Sequence, residues 1–271
     1  MHENNLMRLR IFFLYILLAV SGLTAQAFRE GERIALLGDS MTWIGGDSCQ
    51  NPKGWSRYLH SAFPASPVDV YARSGATWTN TKDTRLDLEH YSEVLDDRNV
   101  MFNQVGRLLS AIETDPGKAP GLVVLYAGAN DAWFQTRRPG IFDKTKLPEP
   151  ELPSAIGSLK EVDPSAFTSL ASSVWLCCSL LKQRLPDAEL ILVTPVEMAR
   201  ASVADIRKVG DTIERVGLLL GIPTIRGDID IPIRRIEESG SHKKHTYDGV
   251  HTNPAGARLI AETINHFIMT R

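Results

Sequence analysis

The chain has 271 residues, 43% of them hydrophobic and 23% charged, with a formal net charge of −2. That length and composition suit one large globular domain with a packed core and exclude a disordered or low-complexity chain. The weakly acidic balance excludes the basic footprint of a nucleic-acid-binding protein.

In chain order, the first segment places Arg8 and Arg10 ahead of an uncharged apolar run from Ile11 to Val20, and Ala25-Gln26-Ala27 follows as a small-x-small site. A spanning helix needs about 20 apolar residues, and this run is roughly half that. Residues 1–27 therefore read as a cleaved secretory signal and residues 28–271 as a single domain, secreted or periplasmic, with no stable membrane anchor after cleavage. Cleavage removes Glu3, Arg8 and Arg10 and takes the formal charge from −2 to −3. Cys49, Cys177 and Cys178 all remain, and an odd number cannot all pair internally, so disulfides do not organise the fold. Cys177 and Cys178 lie in an apolar helical stretch and are expected to pack as small hydrophobes.

Apolar strand-like runs at 33–38, 68–73, 122–127, 189–194 and 223–226 then alternate with segments of helical period. Val105, Leu108, Leu109 and Ile112 share one helix face, and Ile206, Val209, Ile213, Val216 and Leu220 share another. Leu259, Ile260, Ile264, Phe267 and Ile268 mark a closing helix. The alternation predicts an α/β fold, a five-stranded parallel sheet covered on both faces. Two stretches depart from it. Residues 77–99 are polar, with room for short helical pieces, and 132–163 carry Pro139, Pro148, Pro150 and Pro153 with little periodicity. Loops of that length are functional or disordered.

In an open α/β sheet, ligands bind outside the carboxyl ends of the strands, and the residues delivered there are polar. The first strand ends in Gly38-Asp39-Ser40, the second leads through "YARSGATW" to Gly75, and the third through "LYAGAND" to Asn130 and Asp131. Late in the chain, "TYDGVHTNPAGARLI" places Asp248 and His251 three residues apart. A serine at a strand end can simply cap the next helix. These groups also assemble acyl-transfer chemistry: Ser40 can attack a carbonyl if His251 accepts its proton and Asp248 holds the imidazole in the right tautomer. The N–H groups of Ser40 and Gly75 and the amide of Asn130 are the candidate donors to the oxyanion. Asp39 and Asp131 are expected to hold turns through nearby backbone.

Gly38-Asp39-Ser40, Gly75, Gly128-x-Asn130-Asp131 and Asp248-x-x-His251 stand in the order and surroundings of the SGNH, or GDSL, hydrolases. The chain resembles that family over essentially all of its length after the signal. The resemblance implies a three-layer, flavodoxin-like α/β/α sandwich, with Ser40 as nucleophile, His251 as base, Asp248 as its partner, and Ser40, Gly75 and Asn130 as the oxyanion hole. Other plans fit less well. Thr42 stands where a Gly-x-Ser-x-Gly elbow needs its second glycine, and no Gly-x-x-x-x-Gly-Lys or Gly-x-Gly-x-x-Gly occurs. His242, His245, Asp248 and His251 recur every third residue, but Lys243 and Lys244 make the segment basic and that period fits no regular ligand face. No metal and no cofactor are expected, and His242 and His245 are assigned to a solvated loop.

Trp43, Trp78 and Trp133 closely follow the three strand-end blocks, and Arg137 and Arg138 adjoin the last. They are expected to line one rim, where aromatic faces pack on sugar rings and arginines pair with hydroxyls or a uronate. The alternative is that each tryptophan packs on the core. The whole reads as a secreted serine esterase that removes short acyl groups, acetyl foremost, from carbohydrate. A lipid or aryl esterase of the same family and a non-catalytic glycan-binding protein are the alternatives. The expected partner is a small-molecule or glycan ester and not a nucleic acid.

Overall fold

The computed structural model describes residues 27–138, 140–142 and 159–271. Among them, β1 (Ile34–Gly38), β2 (Val68–Val70), β3 (Leu122–Tyr126), β4 (Glu189–Val193) and β5 (Thr224–Ile225) form one parallel sheet in the order β2-β1-β3-β4-β5. Ile34 pairs with both Val68 and Leu122, which sets β1 between β2 and β3. The helices are α1 (Ser40–Trp43), α2 (Trp55–Ala62), α3 (Met101–Thr114), α4 (Ala129–Trp133), α5 (Leu170–Arg184), α6 (Val203–Leu220), α7 (Gly227–Asp230), α8 (Arg235–Glu238) and α9 (Pro254–Met269).

Successive strand side chains point to opposite faces, and here both faces are apolar. Ile34, Leu36, Val124, Tyr126, Ile191 and Val193 pack with Trp55 and Leu59 of α2 and Ile260 and Ile264 of α9. Ala35, Leu37, Val123, Leu125 and Leu192 pack on the other side with α3, α5 and α6. A sheet covered on both faces reads as continuous apolar runs. The result is the expected three-layer α/β/α sandwich with flavodoxin-like strand order, in which the order of strand addition reverses between β1 and β3.

The helix faces expected from the sequence are the buried ones, Val105, Leu108 and Leu109 on α3 and Ile206, Val209, Ile213 and Val216 on α6 among them. Helix starts follow their caps: Ser202 accepts from the Asp205 N–H at 3.0 Å, and Asn253 accepts from Ala255 and Gly256 ahead of α9, with Pro254 in its first turn. Cys177 and Cys178 are fully enclosed in α5, and burial pushes the Cys178 thiol up to about 12.

β2 is shorter than the expected 68–73. The N–H groups of Tyr71 and Arg73 still reach the carbonyls of Leu36 and Gly38, at 2.8 and 3.1 Å. The Gly38 N–H, however, donates to Gln104 Oε1 at 2.8 Å, so the returning bond of the ladder is missing. The region 77–99 holds a single short 3₁₀ turn, Asp97–Asn99, and no longer element. Most of the expected signal, residues 1–26, and Pro139, Pro148, Pro150 and Pro153 lie outside the described residues. No helix among the described residues is long and apolar enough to cross a membrane.

Ile264 is 0% exposed where α9 meets the sheet. Ile264→Ala should lower unfolding free energy by about 2–5 kcal/mol with an unchanged denaturant slope, measured by urea melts. A loss under about 1 kcal/mol would mean that this side of the core closes over the gap.

Candidate active site

β1 ends at Gly38 because Gln104, fully buried on α3, takes both backbone groups of that residue: its Oε1 accepts from the N–H and its Nε2 donates to the carbonyl at 2.9 Å. Asp39 then caps α1. Its carboxylate accepts from the N–H groups of Met41 at 3.0 Å and Ala129 at 3.3 Å, which also ties the start of α1 to the start of α4. Ser40 opens α1 with its side chain at the end of the sheet, 9% exposed.

The loop before α9 brings two more groups to it. His251 Nε2 lies 2.9 Å from Ser40 Oγ, and His251 Nδ1 lies 2.6 Å from Asp248 Oδ2. The other carboxylate oxygen of Asp248 accepts from the N–H groups of Val250 and His251, at 2.9 and 2.7 Å. Burial alone would raise the Asp248 carboxyl, but the bonds from the His251 ring and from these two N–H groups outweigh it and hold the group below its usual range. With the ring proton on Nδ1 facing Asp248, Nε2 is an acceptor for the serine hydroxyl. Such a chain can draw the proton from an attacking serine and stabilise the imidazolium that forms.

The expected oxyanion donors sit on three separate segments. Ser40 is the first residue of α1, so its N–H has no acceptor within that helix. Gly75 has φ +71°, and a Cβ there would meet the backbone of Val94 and Leu95 at about 2.5 Å, so the turn requires glycine. Asn130 is 5% exposed and uses one Nδ2 hydrogen on the Ala76 carbonyl, at 2.9 Å, leaving the second available.

Four positioning residues were not picked out, or were placed differently, from sequence. Gln104 is one, and its signal was a polar side chain on an apolar helix face. Asn99, fully buried, donates to the Ser74 carbonyl at 2.7 Å. The Ser74 carbonyl and the Gly75 N–H belong to one planar trans peptide and point in opposite directions, so Asn99 fixes where that N–H points. Asp131 does not hold its own turn as expected. It accepts from the N–H groups of Trp78 and Thr79 and from the Thr79 hydroxyl, at 2.9, 3.0 and 2.8 Å, joining α4 to the segment after Gly75. Glu238, fully buried at the end of α8, accepts from the N–H groups of His245 and Thr246 and from the Thr246 hydroxyl, at 2.9, 3.0 and 2.6 Å. The Thr246 hydroxyl in turn accepts from the Gly249 N–H. Glu238 thus anchors the Asp248–His251 turn.

The expected rim is only partly there. Trp43 and Trp133 are half-buried and Arg137 is exposed. Trp43 stacks under the Arg73 guanidinium at 4.7 Å, and Trp133 against Phe134 at 4.7 Å. Trp78 is 0% exposed with its indole N–H on the Ala127 carbonyl, so it belongs to the core and not to a substrate surface. Arg138 is also enclosed, its side chain 5% exposed, bonded to the Thr79 carbonyl and paired with Asp97 at 3.2 Å, so it does not face a substrate surface. His245 does not sit in a solvated loop, because its backbone is drawn under Glu238, whereas His242 is exposed. An aromatic that the sequence reading passed over, Tyr247, stacks on the His251 ring with centroids 5.8 Å apart. A separate open cleft of about 830 Å³ between residues 85–90 and 160–164 is lined by none of Ser40, Asp248 and His251.

A family model described as GDSL-like lipase/acylhydrolase matches residues 34–264. No curated protein matches the chain in sequence. Among solved structures, a protein from Lactobacillus plantarum is similar with a TM-score of 0.57 at 15% identity, covering 90% of this chain and 99% of its own. The lipase/acylhydrolase from Enterococcus faecalis is similar with a TM-score of 0.51 at 15% identity, over 89% of this chain and 96% of its own. The acetyl xylan esterase AlAXEase is similar with a TM-score of 0.51 at 16% identity, over 86% and 97%. At such identities the likeness is one of fold.

The cap that sets up Ser40 has a measurable pH signature. Burial raises the Asp39 carboxyl from 3.8 to about 6, against the two N–H bonds that it accepts. The folded value lies above the unfolded one, so the contribution of the protonated acid to stability is complete below about pH 4 and is lost as pH rises through about 6. Asp39→Asn does not titrate. Its stability relative to the parent should therefore improve by up to about 3 kcal/mol between pH 4 and pH 7, read from denaturant melts at the two pH values; a constant difference would show that Asp39 titrates alike folded and unfolded.

Proposed function

The chain belongs to the GDSL-like lipase/acylhydrolase family, and from that premise we propose that it is an exported serine esterase that removes short acyl groups from carbohydrate. The observation that carries the esterase mechanism is the hydrogen-bonded sequence Ser40–His251–Asp248 at the carboxyl end of β1. Ser40 Oγ attacks the ester carbonyl carbon while its proton passes to His251 Nε2. The carbonyl oxygen gains the negative charge and is met by the N–H groups of Ser40 and Gly75 and by the free Nδ2 hydrogen of Asn130. His251 then gives its proton to the departing alkoxide, leaving an acyl-serine. Water, deprotonated by the same nitrogen, attacks that acyl group, and as the second tetrahedral intermediate collapses His251 returns the proton to the departing Ser40 Oγ, which frees the acid and restores the hydroxyl. Asp248, whose carboxyl is held below its usual range, stays ionised opposite the imidazolium.

The substrate part of the proposal rests on different observations. Trp43 stands one turn of helix after Ser40, and Tyr247, 49% exposed, covers the His251 ring, so aromatic surface flanks the reacting serine. Aromatic faces in water pack against the apolar faces of sugar rings. A neighbour in fold is an acetyl xylan esterase, which agrees with a short acyl group on a carbohydrate. The paired arginines and apolar run before residue 27 support export.

Ser40→Ala should cut ester hydrolysis by roughly 10⁴- to 10⁶-fold and leave the melting temperature near that of the parent, and Asn130→Ala should cost about 10²- to 10³-fold. Retention of most activity by Ser40→Ala would overturn the mechanism. Because its carboxyl is held below its usual range, Asp248 stays ionised in mild acid and does not itself limit the rate there. For the substrate, kcat/KM on acetylated oligosaccharides should exceed that on long-chain lipid esters, and Trp43→Ala should lower the former by roughly 3- to 10-fold without changing hydrolysis of a small aryl acetate. Preference for the lipid esters would sink the carbohydrate reading and leave the serine mechanism standing.

A further inference from the structure

In the loop that leads to His251, the His245 ring lies beside two carboxylates. Its side chain is 9% exposed, and its Nδ1 is buried without a hydrogen-bond partner among the described residues. That nitrogen is 3.4 Å from Glu238 Oε1 and 3.9 Å from Glu237 Oε2. The ligand atoms of Glu237, Glu238 and His245 all fall within 4.8 Å of one another. Each has electrons to give. Glu238 Oε1 accepts one bond, from the His245 N–H, while the two bonds from Thr246 go to Oε2. Glu237 Oε1 is paired with Lys244 Nζ at 2.7 Å, which leaves Oε2.

We propose that Glu237, Glu238 and His245 form a site for a divalent transition-metal ion of the zinc class, bound through His245 Nδ1, Glu238 Oε1 and Glu237 Oε2 with water in the remaining position. One imidazole nitrogen and two carboxylate oxygens are the mixed donor set that suits such an ion, whereas calcium and magnesium favour shells of oxygen alone. Tetrahedral ligands bonded at about 2.1 Å stand roughly 3.4 Å apart, the spacing already present between His245 and Glu238. Glu237 is the outer ligand, its side chain 32% exposed, and a rotation at the surface brings it the remaining distance. The buried ligand is held from behind, because the Thr246 N–H and hydroxyl fix the far oxygen of Glu238, the kind of outer support that orients metal ligands. Of the histidines that recur every third residue, only His245 takes part, with two acids from α8 that the spacing argument could not see. The bound ion cross-links α8 to the start of the loop that carries Asp248 and His251.

The test is calorimetric titration of the chelator-stripped full chain with Zn²⁺, alongside Glu237→Gln and His245→Gln, with circular dichroism to verify folding and thermal melts with and without the ion. The expected result is one ion per chain, affinity reduced at least about tenfold in Glu237→Gln and abolished in His245→Gln, and a melting temperature raised by Zn²⁺ in the parent. Glu237 lies at the surface, so its variant reads the site even if His245→Gln fails to fold. Absence of saturable binding to the parent would overturn the site, as would an affinity that Glu237→Gln leaves unchanged. Neither readout depends on ester hydrolysis.

Discussion

The two hydrogen bonds between the Gln104 side chain and the backbone of Gly38 decide where the first strand stops. A parallel ladder continues for as long as each residue finds both of its backbone partners, and Gln104 takes the Gly38 N–H out of that exchange while sharing its carbonyl with the Arg73 N–H. The chain is then free to turn, Asp39 captures the next N–H groups, and Ser40 begins a helix at the rim instead of extending the sheet. The bond is buried on both sides, so its loss would leave an amide side chain and a peptide group unsatisfied in the core, a cost of about 1–3 kcal/mol for each such group. That cost makes the strand end sharp.

The same device recurs around the site. Asn99 holds the carbonyl before Gly75, Asp131 holds the two N–H groups that follow Ala76 and Thr77, and Glu238 holds the first N–H groups of the His251 loop. Each buttress comes from an element other than the loop that it supports. Loops without regular structure carry backbone groups that find no ladder, and a buried loop needs other partners for them. Here those partners are fully buried carboxylates and amides. The site is therefore positioned from the sandwich outward.

The layered architecture was legible in the sequence because it rests on local signals. Apolar runs mark strands buried on both faces, and the helical period of Ile206, Val209, Ile213 and Val216 marks a covering helix. Asp-x-x-His was also readable as a pair, since three residues suffice for a tight turn to bring Asp248 and His251 together. The buttresses were not readable. Asn99 and Ser74 are 25 residues apart in sequence, and Asp131 and Trp78 are 53 apart; nothing in the residues themselves announces such contacts. Trp78 shows the consequence. It lies among Thr77, Thr79 and Asn80, which look like a surface loop, yet all three are buried: the Thr77 carbonyl accepts from the Met101 N–H, Thr79 donates to Asp131, and Asn80 Nδ2 donates to the Phe167 carbonyl. His245 was misplaced for the same reason, since the lysines beside it suggested solvent while Glu238, invisible to spacing, pulled its backbone inward.

The buttresses share one more property: apart from the Thr79 and Thr246 hydroxyls, what they grip is peptide backbone. A peptide group is the same whatever side chain it bears. Substitutions at Ser74 or His245 therefore keep the grip on the main chain, and the loops around the serine can change what they present to a substrate while their frame stays in place. Drift of this kind separates the inheritance of a scaffold from the inheritance of a specificity, and it fits a chain that shares its fold with proteins only 15–16% identical to it.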